Sequence, residues 1–311
     1  MNETGVAVVD GRCEALEDAR VPVSDRGFLF GHAIFETLLI REGRIIGWND
    51  HMARLARGCE RAFLRMPDAR ELRAWVKLGC EENARRAGRM AEKVSVRLMV
   101  TGGSGTSPAG AAHAGATLAV PRDAAGNLQP ARVVIVCKDA PSMSPAARHK
   151  GLALHAFPEA RSMPLVDVKS TSYLWNMLAL EAARAKGCDD AIFYTPDGAL
   201  SECTTANFVW VTSDRLVCAM PNKDRCLPGT TLQALSRALR KHEHMINDMP
   251  LMRTEAELSQ ALACFVLSSV RGLVGVRSID GHAFDLEANA ELAESLNGYL
   301  DAELTRNAQD L

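Results

Sequence analysis

The chain has no apolar run of the length that crosses a bilayer, about 18 residues or more, and no basic-then-apolar leader at its N-terminus. A cytosolic protein without a membrane partner is therefore the expectation. It also lacks an excess of charge of either sign. The net charge is −2, with 24% charged and 47% apolar residues, so no electrostatic footprint favours nucleic acid. Its basic clusters, such as Arg85-Arg86 and Arg240-Lys241, stand isolated and read as solvated faces. Cys-x-x-Cys spacing is missing as well. The nine cysteines lie at 13, 59, 80, 137, 188, 203, 218, 226 and 264. An odd number at irregular intervals reads as scattered reduced thiols, not as a metal site or a disulfide framework. No internal repeat is visible.

What is present is an alternation of strand and helix patterns over 311 residues, enough for one large domain or two ordinary ones. Val6–Val9 followed by Asp10-Gly11 signals a hairpin. Ala33–Ile40 and Ile45-Ile46, joined through Gly43, signal a second. From Asn49 the period changes: Met52, Leu55, Ala56, Cys59 and Phe63 mark one helix face, with Asn49 or Asp50 as the expected cap. A second helix is expected over 68–87 and a strand over 95–100. Residues 102–116 read as a Gly-rich loop. Residues 121–131 carry Pro121, Gly126 and Pro130 and make the expected linker. Past it the pattern gives strands at 133–136, 191–194, 200–202, 207–211 and 265–267, and helices at 172–186, 230–241 and 285–305. The expected division is an α/β domain over 1–120 and a second over 132–311 that carries Lys169, with a site between them.

Two residues organise the chemistry. Lys169 ends an apolar run, Val166-Asp167-Val168, and Glu202 follows in the small-residue context Leu200-Ser201-Glu202-Cys203-Thr204-Thr205-Ala206. A lysine amine forms a Schiff base with an aldehyde, and a carboxylate against a pyridine nitrogen keeps that nitrogen protonated. The pair points to pyridoxal 5′-phosphate (PLP). That cofactor also needs a phosphate cup and a group near its ring hydroxyl. Leu227-Pro228-Gly229-Thr230-Thr231 is a glycine turn opening a helix, where backbone N–H groups bind phosphate. Ser268 and Ser269 offer hydroxyls after a buried strand. Arg54 offers a planar fork for a dianion, and Tyr173 a phenol for the ring hydroxyl. Each has an ordinary alternative: an exposed lysine or arginine, a turn carboxylate, a capped helix start, a half-buried phenol.

Taken in order, these segments resemble the class IV aminotransferase family, the fold-type IV PLP enzymes. The resemblance runs from about Val6 to Asp280. It includes Ser24-Asp25-Arg26-Gly27-Phe28-Leu29-Phe30-Gly31-His32-Ala33-Ile34-Phe35-Glu36-Thr37, the H-x-x-R-L motif His51–Leu55, and the lysine segment Lys169–Leu174. It continues with Glu202 to Asn207-Phe208, Leu227–Thr231, and Gly275 to Gly281. The resemblance implies a two-domain fold like that of D-amino-acid aminotransferase, a homodimer, and PLP in the interdomain cleft. It implies that Lys169 is catalytic and that Arg54, Tyr173, Glu202, Thr230, Thr231, Ser268 and Ser269 bind the cofactor. Phe35, Thr37 and Arg97 are the implied substrate-binding residues. The family spans branched-chain, D-amino-acid and amine aminotransferases and 4-amino-4-deoxychorismate lyase, and the fold does not choose among them. The D-amino-acid enzymes carry Thr-Arg-Gly where this chain has Thr101-Gly102-Gly103. Arg97 fits an arginine of the branched-chain enzymes, whereas Glu202-Cys203 looks more like the lyase. The expectation is an aminotransferase acting on a branched-chain-like or related donor and a 2-oxo acid, with the lyase as the alternative and a non-catalytic PLP-binding homologue, against which the retained Lys169 and Glu202 argue, as the third reading. His32 is expected to be a packed histidine.

Overall fold

The computed structural model describes residues 5–89, 91–104, 118–161, 165–220 and 225–311. The chain divides into two units, one of residues 1–141, 168–172 and 308–311, the other of 142–167 and 173–307.

The first unit begins with the expected hairpin, β1 (Val6–Val9) and β2 (Arg12–Ala15), turning at Asp10-Gly11 with both residues at positive φ. A short helix α1 (Arg26–Phe30) leads into β3 (Ala33–Arg41) and β4 (Arg44–Ile45). Helices α2 (Trp48–Arg61) and α3 (Ala69–Ala87) precede β5 (Lys93–Thr101) and β6 (Arg132–Asp139). The start of α2 is at Gly47, not at Asn49 or Asp50; the chain turns there in the left-handed region, which glycine reaches without strain. Asp68 caps α3 by accepting from the amides of Arg70 and Glu71. The Gly-rich loop expected at 102–116 lies, from residue 105 onward, outside the described residues.

Strict alternation in these strands sends one set of side chains to a single core. Val6, Val8, Ile34, Leu38, Ile40, Val94, Val96, Leu98, Val100, Val133, Ile135 and Cys137 pack with Leu55 and Cys59 of α2 and Leu72 and Val76 of α3. The sheet is antiparallel and seven-stranded, and its outermost strand is Gln309–Asp310, paired with β4. The expected linker at 121–131 is not the boundary. β6 pairs with both β5 and β1, so the first sheet requires residues to Asp139.

The lysine segment belongs to the first unit as well, contrary to the expected division. Phe35 N donates to Lys169 O (2.8 Å), Thr171 N donates to Ala33 O (3.0 Å), and Ile34 bridges Ser170. These backbone bonds fix Val168–Ser172 to the start of β3.

The second unit contains α4 (Pro145–Lys150), β7 (Leu152–Ala156), α5 (Leu174–Ala185), β8 (Asp190–Tyr194), β9 (Leu200–Cys203), β10 (Asn207–Thr212), β11 (Val217–Ala219) and α6 (Thr230–Arg240). β12 (Ile246–Asp248), α7 (Glu255–Leu258), β13 (Ala261–Ser268), β14 (Gly272–Ile279), β15 (His282–Ala283) and α8 (Ala290–Arg306) complete it, while Gln309–Asp310 is β16. α8 starts five residues later than the expected 285. Strands run in the order β10-β13-β14-β7-β8-β9, and β9 returns to β10 through Glu202 and Asn207, closing a ring.

Both faces of the central strands are covered, which explains their continuous apolar runs. Phe208, Trp210, Cys264 and Val266 enter one core with Leu154, Ile192 and Val276. Val209, Val211, Phe265 and Leu267 enter another, against Leu232, Leu235 and Leu239 of α6 and Leu296 and Leu300 of α8.

Candidate active site

The first unit gathers Phe35, Thr37, Arg97 and Lys169. β3 and β5 pair with Phe35 opposite Met99 and Thr37 opposite Arg97, on the sheet face away from α2 and α3. Phe35 is buried. Its ring has the Lys169 Nζ 4.6 Å from the centroid and the Arg97 guanidinium carbon 3.9 Å away. A buried aromatic ring thus carries an amine and a guanidinium together, each attracted by the ring's quadrupole.

Arg54 occupies the opposite, core-facing side. Its Nε donates to Glu36 Oε1 (2.8 Å) and its Nη2 to Glu36 Oε2 (2.6 Å), a two-pronged pair in which both residues are buried. His51, one helical turn before Arg54, lies with Nδ1 2.7 Å from Glu36 Oε2. Burial alone would push the Glu36 carboxyl upward. The charge and hydrogen bond of Arg54, joined by those of His51, outweigh it and bring the group down to about 2. No role for Glu36 or His51 follows from motif reading alone. One signal for Glu36 was nonetheless available: it falls in the inward phase of β3 between Ile34 and Leu38, where a carboxylate needs a partner.

His32 is the packed histidine expected. Its Nε2 lies 2.8 Å from Ala62 O, Arg26 Nε donates to its Nδ1 (3.4 Å), and a Cβ on Gly102 would meet that Nδ1 at 2.5 Å.

The second unit gathers Glu202 and the Leu227–Thr231 turn. Glu202 and Asn207 face each other where the strand ring closes. Leu227 N donates to Glu202 Oε2 (3.1 Å), and Asn207 Nδ2 donates to Leu227 O (2.8 Å). The two polar residues therefore grip both backbone groups of Leu227. Next comes Gly229, the N-cap residue of α6, in ordinary extended conformation and without a side-chain capping bond. Its need for glycine is spatial: a Cβ there would stand 1.7 Å from Asn207 Oδ1. Thr230 and Thr231 form the buried first turn of α6.

Ser268 and Ser269 follow Leu267, which pairs with Asn207, so one row across the sheet runs Glu202, Asn207, Leu267. The turn after Glu202 is braced by Thr204 Oγ1 donating to Asp190 Oδ1 (2.6 Å), Asn176 Nδ2 donating to Thr204 O (2.7 Å) and Arg271 Nη2 donating to Thr205 Oγ1 (2.7 Å). Tyr173 precedes α5 and is half-buried. Arg161, a residue with no expected role, donates from Nη1 to Glu202 Oε1 (2.5 Å). Burial, then the nearby carboxylates Asp190 and Glu202, push the Cys203 thiol up; burial and Glu202 do the same to Cys226. Both are neutral interior thiols.

A family model described as amino-transferase class IV matches residues 33–279. The chain belongs to that family. A curated D-alanine aminotransferase of Listeria monocytogenes is 23% identical over 307 residues, covering 95% of this chain and 94% of the relative. A bifunctional aminodeoxychorismate lyase / D-amino acid transaminase of Mycobacterium tuberculosis is 26% identical over 272 residues, covering 86% and 88%. Among solved structures, the PLP-bound form of a hypothetical aminotransferase from Mycobacterium tuberculosis superposes with a TM-score of 0.78 at 22% identity, covering 97% and 99% of the two chains. The fold is thus that of the fold-type IV aminotransferases, and the family is one of enzymes that use PLP.

The residues present fit that cofactor on structural grounds. An amine is held over a buried ring, and a helix start lacks a side-chain cap where an added Cβ would collide. A buried carboxylate has a backbone amide on one oxygen.

Proposed function

We propose that this aminotransferase transfers the amino group of an amino acid with an apolar, branched-chain-like side chain to a 2-oxo acid. The carrying observation is the convergence of Lys169 and Arg97 on Phe35. A nucleophilic amine and a group suited to a carboxylate stand at one place, as an amino or oxo acid requires.

When bound, PLP supplies an aldehyde for covalent attachment and a ring that withdraws electrons from the substrate's Cα. Lys169 would provide the amine that attaches it. Once displaced by substrate, the same amine would take the proton from the substrate's Cα and deliver it to the cofactor carbon that had carried the aldehyde. Glu202 would accept a hydrogen bond from the ring nitrogen, with Leu227 N–H keeping its carboxylate in place. Thr230, Thr231, Ser268 and Ser269 would bind the phosphate, supported by the positive end of α6. Arg54, whose Nε and Nη2 both donate to Glu36 on the core-facing side, would act on the phosphate through its charge at longer range and not through the expected fork. Tyr173 would hydrogen-bond the ring hydroxyl. Arg97, with Thr37 paired opposite, would hold the substrate carboxylate, and the Phe35 ring would exclude water beneath the Lys169 amine.

The same proposal includes a homodimer in the cytoplasm. Val23, Phe28, Leu29 and Phe30 are exposed on the first unit, as are Leu174, Met177 and Leu178 on the second. Exposed apolar side chains of this kind suit a protein interface, and we take a second copy of this chain as the partner.

The lyase reading keeps one specific support, the bifunctional Mycobacterium tuberculosis relative, together with Thr37, whose hydroxyl could relay a proton. Purified holoenzyme mixed with single L- and D-amino acids separates the readings. Conversion of the cofactor to its amino form by a donor supports transamination, and no conversion by any donor refutes it. Release of pyruvate from aminodeoxychorismate without an acceptor would instead establish the lyase. Borohydride reduction should fix the cofactor to the wild-type chain and fail to do so in Lys169→Ala.

A further inference from the structure

Glu202 is gripped from two sides. Leu227 N–H donates to Oε2 at 3.1 Å and Arg161 Nη1 donates to Oε1 at 2.5 Å. With one donor on each oxygen, the carboxylate cannot turn without losing a bond. Each oxygen still has a further lone pair for another donor.

Arg161 is itself immobilised. Its amide donates to Tyr194 O (2.8 Å), and its guanidinium carbon lies 4.8 Å from the centroid of Phe193, a fully buried ring of β8. Phe157 meets that ring edge-on, with centroids 6.2 Å apart. Among the described residues, the Nε of Arg161 is buried without a hydrogen-bond partner. A buried donor left unmade works against stability, and replacing the whole Arg161–Glu202 pair by apolar side chains would remove that cost. The arrangement therefore keeps a buried ion pair where packing alone does not require one.

We propose that Arg161 is a positioning residue for the reaction. It fixes the Glu202 carboxylate in one rotamer, so that the carboxylate stays aligned to accept from the cofactor's ring nitrogen and that nitrogen stays protonated. The inference rests on the reading of Glu202 as the partner of that nitrogen. Lose the guanidinium, and the Glu202 carboxylate is free to turn away from that position. The ring nitrogen then gives up its proton more easily.

The test uses holoenzyme loaded with PLP labelled with ¹⁵N in the ring, and follows the ¹⁵N chemical shift against pH. Arg161→Met keeps the apolar stem and removes the charge. With the carboxylate free to turn away, its ring nitrogen should deprotonate at a lower pH than in wild type, by up to the roughly one to three units that a lost opposite charge is worth, while Arg161→Lys should lie between the two. In a Glu202→Gln background, Arg161→Met should cause no further change. An unaltered titration in Arg161→Met would overturn the proposal, as would an equal shift in the Glu202→Gln background, which would mean that Arg161 does not act through Glu202. If Arg161→Met does not fold, Arg161→Lys decides, and a wild-type titration there overturns the proposal. Failure of the wild-type chain to bind PLP, or a Glu202→Gln titration identical to wild type, would remove the underlying reading as well.

Discussion

Replacing Gly229 by alanine puts a methyl carbon 1.7 Å from Asn207 Oδ1, a distance no van der Waals contact permits. Either the Asn207 amide swings away or the start of α6 is pushed out. The first route breaks the bond to Leu227 O and leaves buried polar groups unpaired, about 1–3 kcal/mol. The second repacks Leu232 and Leu235 against β13, about 1–3 kcal/mol for overpacking. Either route predicts a loss of roughly 1–3 kcal/mol. At about 2–4 °C per kcal/mol for a domain of this size, Tm should fall by roughly 2–12 °C. PLP affinity should drop at least about tenfold, since the first turn of α6 moves with the clash. Gly298 is the control. It lies exposed in α8 with nothing within 4 Å of an added Cβ, so Gly298→Ala should raise stability by about 0.8–1 kcal/mol through helix propensity. Scanning calorimetry of the apo chains and fluorescence titration with PLP measure both. A Gly229→Ala protein with wild-type Tm and affinity would refute the reasoning, and so would two variants shifting in the same direction.

Three further outcomes are expected. The Glu36 carboxyl, held down to about 2 from an ordinary 4.5, contributes about 3 kcal/mol. This is present above the unfolded-state value and lost as pH falls from about 5 toward 2. Glu36→Gln should be less stable at neutral pH and should lack that part of the acid dependence in urea melts from pH 7 to 3. Arg97→Met should raise KM for carboxylate-bearing substrates by roughly ten- to a hundredfold while leaving PLP binding intact, as read from steady-state kinetics and the bound-cofactor spectrum. Phe28→Asp with Leu29→Asp should lower the sedimentation-derived mass toward that of one chain, without a fall in the stability of the fold, because both side chains are exposed.

Much of this site could be read from local pattern. The Asp10-Gly11 hairpin, the Asp68-capped helix and the strand over Asn207–Val211 follow from turn chemistry and periodicity, which are short-range. Lys169 and Glu202 stood out because their chemistry is distinctive and their surroundings apolar or small. Arg161 did not, since it lies in an irregular segment 41 residues from Glu202, and only strand register brings the two together. Glu36 was missed although its inward phase was visible, because its partners lie on a helix whose docking angle sequence does not give. The boundary failed for another reason. Pro and Gly mark where the backbone turns, and the turn at 121–131 joins two strands of one sheet.

The placement of Val168–Ser172 and Gln309–Asp310 in the first unit has a consequence for the order of folding. That unit is assembled from three separate stretches of chain, and Arg44 donates to Ala308 O across 264 residues. Closing a loop that long costs only about 0.6 kcal/mol more than one half its length, so the final stability hardly suffers. The rate does, because contacts so distant in sequence slow the search. A fragment ending near Pro141 would contain most of the first sheet but not its lysine or its outermost strand. The amine that defines the enzyme is therefore set in place only after the chain has left the first unit and returned to it.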